Sequence, residues 1–260
     1  TKLVGNRLFL LEKMPQGNQL RTIDLTNPAA PVTQSVIPLN FRPLLQYDSQ
    51  IQDTATLQVT GDQLLIASTY FHFPNVTYHW GSKIADLHVI SLNGAPALMK
   101  SIPLGNVLAY PTAMGIVNGA VAAVTAGDTN GNSWSNLAIE TYPLTGTSVT
   151  QLGYLSLPTM KQSFWAHIAG TKAFVMQTQD NGYYPNVCDA IDLSNPALPV
   201  FLNRSATPIS FYDARIINDR LLARGDTNGS TTFMLYSLSP TGGMVSAWVR
   251  VLMFMCFSNA

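Results

Sequence analysis

Thr60-Gly-Asp-Gln-Leu-Leu-Ile-Ala67 joins a short turn signal to an apolar run, and the chain repeats this arrangement four more times. The other copies are Val4-Gly-Asn-Arg-Leu-Phe-Leu-Leu11, Val117-Asn-Gly-Ala-Val-Ala-Ala-Val124, Ala169-Gly-Thr-Lys-Ala-Phe-Val-Met176 and Ile217-Asn-Asp-Arg-Leu-Leu-Ala-Arg224. Their second residues fall at 5, 61, 118, 170 and 218, in steps of 56, 57, 52 and 48 residues. Such spacing marks a repeat architecture. Gly, Asn and Asp tolerate the positive φ angles that tight hairpins need. Alternating apolar residues flank the turn, Thr54 to Val59 before it and Leu64 to Ala67 after it, which is the pattern of a β-hairpin.

A third strand follows each hairpin, predicted at Leu20–Leu25, Asp86–Leu92, Leu137–Tyr142, Asp189–Leu193 and Thr232–Leu238. After a Pro/Gly/Asn turn comes a fourth, at Val32–Ile37, Ala97–Ile102, Val149–Tyr154, Val200–Asn203 and Met244–Val249. Four antiparallel strands per repeat of about 50 residues is the grammar of a β-propeller blade. The fold class read from the sequence is therefore all-β, a single β-propeller domain over 1–260. Its five blades fall at 1–40, 52–105, 110–157, 163–206 and 211–252. Thr1–Val4 is short for a first strand, so the apolar tail in 252–260 is expected to complete the first blade, since full closure removes exposed edges. The alternative is a fragment of a six- to eight-bladed propeller. No long 3.6-residue periodicity occurs, so helix content is expected to be very low.

At the turn after the third strand, Ile23-Asp-Leu-Thr-Asn-Pro-Ala-Ala-Pro-Val32 matches Ile191-Asp-Leu-Ser-Asn-Pro-Ala-Leu-Pro-Val200 almost residue for residue. This turn resembles the LVIVD-type and related secreted bacterial or archaeal β-propeller repeats. The resemblance implies a propeller fold and an exported or cell-surface location, mostly without assigned catalysis. It carries no functional residues across, because the turn is structural. Asn and Pro fix a tight turn and the second Pro stops further strand pairing.

Charged residues make up 11% of the 260 residues, and the formal net charge is zero. No basic stripe is present to neutralise phosphates, which argues against a nucleic-acid partner. No stretch approaches the ~20 apolar residues of a helical membrane span. Ser, Thr, Asn and Gln carry the polar surface, a composition suited to an exported protein. Absence of net charge also makes self-assembly easy. Cys188 and Cys256 lack the spacing of a zinc site; a single disulfide and two buried thiols both remain open.

In a four-stranded blade, the loops joining second to third strands share one end with the loops joining blade to blade. Those loops are long and irregular here, which is where binding sites sit on rigid scaffolds. They hold His79 and Trp80 in one loop, Trp134 in the next, and Tyr183 and Tyr184 in a third; the inter-blade loops are expected to add Tyr110, Phe164, Trp165, Phe211 and Tyr212. Aromatic faces stack on sugars and anchor protein partners. The candidate ligand-binding residues are thus Trp80, His79, Tyr110, Trp134, Trp165, Tyr183 and Tyr184, with a protein or glycan as partner. The competing reading is that Phe164, Trp165, Phe211 and Tyr212 pack between blades. His88 and His167 fall on predicted strands, where packing or hydrogen bonding is expected.

The pentapeptide Gly-Asp-Thr-Asn-Gly occurs at 127–131 and 225–229, in the same slot of the third and fifth repeats. Asp128, Asn130 and Asn132 place oxygens at alternate positions, like the start of a calcium loop. One carboxylate is a weak calcium set, and Asp, Asn and Gly favour turns unaided. Glycoside hydrolysis would need paired carboxylates. Asp48, Asp53 and Asp213, at or near first strands, are the candidates for a polysaccharide-active hydrolase or lyase. No Gly-x-Ser-x-Gly or phosphate-loop motif occurs. The leading expectation is a non-catalytic exported propeller that binds a partner, or serves as a subunit of an extracellular assembly.

Overall fold

The computed structural model describes all residues except 15–16, 40–48, 51–56, 73–81, 105–109, 128–135, 159–163, 178–186, 207–209, 218–219, 228–229, 239–243 and 251–260. The described secondary structure is all strand, in five antiparallel sheets. The first sheet is β1 (Lys2–Val4), β2 (Arg7–Met14), β3 (Gly17–Asp24) and β4 (Val32–Pro38). In the second, two short pieces, β5 (Ser49–Gln50) and β6 (Leu57–Thr60), both pair with β7 (Gln63–His72), followed by β8 (Ser82–Ser91) and β9 (Ala97–Leu104). The third holds β10 (Tyr110–Val117), β11 (Ala120–Gly127), β12 (Asn136–Pro143) and β13 (Gly153–Leu157). The fourth holds β14 (Phe164–Ala169), β15 (Lys172–Gln177), β16 (Val187–Asp192) and β17 (Val200–Ala206). The fifth holds β18 (Ser210–Ile217), β19 (Arg220–Thr227), β20 (Ser230–Leu238) and β21 (Met244–Arg250).

Each sheet is a meander in sequence order, as the hairpin signals require. Asn118 and Gly119 turn β10 into β11 with φ of 46° and 76°, the left-handed region that tight hairpins demand. One predicted strand shifts. Val149–Leu152 belongs to a long turn, and β13 starts only at Gly153, because Leu152 already spends its amide on the Thr141 carbonyl at 2.8 Å. The fourth strands of the other four sheets each carry a bulge near the same place, with Gln34, Met99, Leu202 and Ala247 as the extra residues. A bulge twists an outer edge and discourages further pairing.

The sheets stack face to face. Alternation puts one set of apolar residues toward the preceding sheet and the other toward the following one. Phe9, Leu20 and Ile37 of the first sheet meet Leu64, Ile66 and Ile90 of the second. Leu65, Ala67 and Leu87 on the second sheet's other face meet Val121, Ala123 and Tyr142 of the third. Ala122, Val124 and Ile139 meet Ala173, Val175 and Ile191 of the fourth. The first strands β6, β10, β14 and β18 are neighbours in succession. Gly115 allows one of these approaches: a Cβ there would stand 2.6 Å from Ile168 Cγ2.

Candidate functional site

Antiparallel order places the β1–β2 and β3–β4 turns, and their equivalents, at one end of each sheet. The loops from second to third strand, and from sheet to sheet, lie at the other. His79, Trp80, Trp134, Tyr183 and Tyr184 fall in those loops and outside the described residues, as do Asp128, Asn130 and Asn132. Tyr110 and Trp165 are placed differently from expectation. Tyr110 opens β10 opposite Ala126, and Trp165 is the second residue of β14 opposite Met176. Phe164 and Phe211 likewise pair within β14 and β18. The reason is that aromatic residues suit a pleated ladder, so each first strand runs further toward the loop end than the turn signals indicated. Asp213 pairs with Arg224 in the β18–β19 ladder, whereas Asp48 and Asp53 lie outside the described residues.

The described side chains reveal a repeated polar position. The fourth residue of each second strand pairs across to Arg21, His88, Glu140, Asp189 and Met234 of the third. Four of these five are ionisable, and cross-strand partners share a sheet face. Asp189 is fully buried. Arg204 clasps it through Nε to Oδ1 and Nη2 to Oδ2, both at 2.6 Å, and Gln177 Nε2 donates to Oδ2 at 2.7 Å. Gln177 Nε2 and Arg204 Nη2 also reach the Pro158 carbonyl of the third sheet, at 3.1 and 3.3 Å. The pair thus bridges two sheets just below the loop end. The hydrogen bond from Arg204 to Asp189 holds the guanidinium above its ordinary pKa.

Glu140 is buried too, accepting from Thr125 Oγ1 at 3.1 Å and Tyr142 OH at 2.5 Å. Thr125 and Gln177 are each the sixth residue of their second strand, so the partner as well as the charge is repeated. In the first sheet the sixth residue is Glu12, which accepts from Arg21 Nε at 2.7 Å and Gln19 Nε2 at 2.5 Å. Hydrogen bonds from Arg21 and then Gln19 keep the Glu12 carboxyl below its usual range. His88 bonds Ser101 Oγ through Nδ1 at 2.9 Å, and burial pushes its pKa down to about 3, so it is neutral at physiological pH. Sequence alternation places His88 on a strand; the repeat register that aligns it with Glu140 and Asp189 emerges only from the ladders.

At the hairpin end, bonds run from each of the first three sheets to the next. Arg7 Nη1 donates to Leu92 O at 2.7 Å. Lys100 Nζ reaches the carbonyls of Pro143, Thr145 and Ser148 at 2.8, 3.2 and 3.1 Å. Asn118 Nδ2 donates to Ser194 O at 2.7 Å, and Thr141 Oγ1 to Pro196 O at 2.5 Å. Gly153 is required here, since a Cβ would stand 2.3 Å from Pro196 O. These groups cap turn carbonyls and hold sheets together. Cys188 is a free, buried thiol whose pKa burial raises; Cys256 lies outside the described residues. Among the described residues no three His, Cys, Asp or Glu side chains group to hold a metal ion, and no helix is long and apolar enough to cross a membrane.

No family model and no curated protein matches the sequence. Solved structures do match in shape. An acylaminoacyl peptidase from Pyrococcus horikoshii aligns over 96% of this chain and 37% of its own, at 12% identity and a TM-score of 0.51. A candidate 6-phosphogluconolactonase from Bacteroides uniformis aligns over 96% of this chain and 83% of its own, at 9% identity and a TM-score of 0.50. The chain spans little more than a third of the peptidase's length. At such identity the likeness is one of fold alone: an all-β, propeller-like stack of four-stranded antiparallel sheets.

Proposed function

We propose that this chain is a five-bladed β-propeller unit of an exported or cell-surface protein. It binds a protein or glycan partner through the aromatic-rich loop end and performs no catalysis. The observation that supports this most is the division of labour between the two ends. At the hairpin end, Arg7, Lys100, Asn118 and Thr141 are spent on the next sheet's carbonyls. Beneath the loop end, Asp189 and Glu140 are held by partners from their own sheets. Recognition therefore falls to the loops above, where the sequence concentrates Trp80, Trp134, Tyr183 and Tyr184. Tyr110 is the first residue of β10 and Trp165 the second of β14, both at the loop end of their strands.

The test is a glycan array with the wild-type chain, followed by W80A and W134A. Binding should be lost in both variants while the melting temperature and far-UV spectrum stay unchanged. Binding that survives both substitutions would move the site off this end. A melt with excess calcium and then EDTA examines Asp128, Asn130 and Asn132, because a bound ion raises stability by mass action.

A further inference from the structure

Thr22 and Thr141 occupy one repeat position in two sheets. Each follows the repeated polar residue, Arg21 in the first sheet and Glu140 in the third. Thr22 pairs with Ser35, just past the extra residue Gln34. Thr141 pairs with Gly153, just past Leu152, whose amide bonds the Thr141 carbonyl. Both threonines are fully buried. Thr22 also pairs with Phe9, so it shares the face that Phe9 turns to the second sheet. In the third sheet the hydroxyl finds a partner on the next sheet. Thr141 Oγ1 donates to Pro196 O, which comes in close because Gly153 has no Cβ. In the first sheet no such partner arrives. Thr22 Oγ1 and Ser35 Oγ are both buried, and neither has a hydrogen-bond partner within the protein.

The turn of the next sheet accounts for the difference. In the fourth sheet Leu193–Pro199 lies between the paired Asp192 and Val200, whereas in the second only Leu92–Pro96 lies between the paired Ser91 and Ala97. The second sheet's turn is shorter and has no Asn-Pro corner like that of Asn195 and Pro196 to carry a carbonyl across. The first sheet correspondingly has a serine side chain where the third needs glycine. Buried hydroxyls are paired with protein or with ordered water, because leaving them bare forfeits the hydrogen bonds they made in the unfolded chain. We propose that the junction of the first and second sheets is a binding site for one ordered water molecule, held between Thr22 Oγ1 and Ser35 Oγ. The water replaces the turn carbonyl of the third and fourth sheets. Water suits two hydroxyls because it donates as well as accepts, which a carbonyl does not. The proposal goes beyond the loop-end reading and uses none of its residues.

The experiment is a high-resolution crystal structure of the chain, joined to thermal melts of T22V, S35A and the double variant. The crystal should show a water within hydrogen-bond distance of both hydroxyl oxygens. T22V keeps the shape and should lower the melting temperature by about 2–4 °C, the shift expected for about one net hydrogen bond in a chain of this size. The double variant should lose less than the two single shifts together, because both substitutions break the same bridge. T22S keeps the hydroxyl and should keep the water, which separates the bridge from packing of the Thr22 methyl. A dry site, with the two hydroxyls bonded to each other or left bare, overturns the proposal. So does a T22V chain that melts at or above the wild type, since replacing an unpaired buried hydroxyl by a methyl group is neutral or stabilising.

Discussion

The two copies of the Ile-Asp-Leu-[Thr/Ser]-Asn-Pro turn show what a local sequence can and cannot achieve. Inside the turn they are the same object. Asp24 Oδ1 accepts from Thr26 N at 2.8 Å, and Asp192 Oδ1 from Ser194 N at 2.9 Å. Asn27 Oδ1 and Asn195 Oδ1 accept from Ala29 N and Ala197 N at 3.2 and 3.1 Å. Leu25 N reaches Asn6 O, and Leu193 N reaches Thr171 O, at 2.7 and 2.8 Å. Outside the turn they part. Pro199 is buried and Pro196 half-buried against Thr141 and Gly153 of the preceding sheet, whereas Pro28 and Pro31 are exposed. Asx bonds and Pro stiffness make the turn; a neighbouring sheet makes it part of a core.

The strongest way to break this contrast is to remove the bridge from the seated fourth sheet and its counterpart from the first. R204M leaves Asp189 buried without its cation and should cost about 3 kcal/mol or more in urea denaturation. R21M removes the corresponding partner of Glu12, where both side chains remain about 30% exposed, and should leave the urea midpoint close to wild type. Equal losses would mean that the first sheet is as enclosed as the fourth.

The same repeat position in the second sheet predicts a pH effect. The His88 imidazole falls from its ordinary 6.5 to about 3 on folding, so the unfolded chain takes up the proton first as pH drops. Its contribution to stability is complete above 6.5 and is lost between there and about 3, at up to about 1.4 kcal/mol per pH unit. H88Q should flatten that part of the stability–pH curve. An unchanged slope would place the titrating group elsewhere.

Smaller effects sharpen the seat itself. G153A should destabilise by about 1–3 kcal/mol, because the new methyl meets Pro196 O and the Pro199 ring. T141V keeps the shape, removes the donor to Pro196 O, and should cost about 1 kcal/mol. Thermal melts read both. A neutral G153A would show that the fourth sheet's turn is not held where the contact requires.

Much of the fold was legible because propeller-like sheets are built from local hairpins. Gly, Asn and Asp mark the turns, and alternation marks the strands between them, so the order of hairpin, third strand and fourth strand follows from neighbours in sequence. Val149–Leu152 alternates like a strand yet lies in a turn, where the Leu152 amide donates to the Thr141 carbonyl. Tyr110 and Trp165 read as loop residues because nothing in single-sequence periodicity tells where a ladder frays. The repeated polar position was invisible for a different reason. Arg21, His88, Glu140 and Asp189 share no residue type, and only strand register lines them up.

By itself the sequence determined the meander, the repeat period and the geometry of each tight turn, since these depend on backbone preferences and contacts within a few residues. Tertiary structure alone decided which apolar faces are sealed, which carboxylates are clasped and which copy of an identical turn is seated. Those outcomes depend on what the next sheet brings against a surface, and a hydrophobic face written into one strand cannot specify its cover.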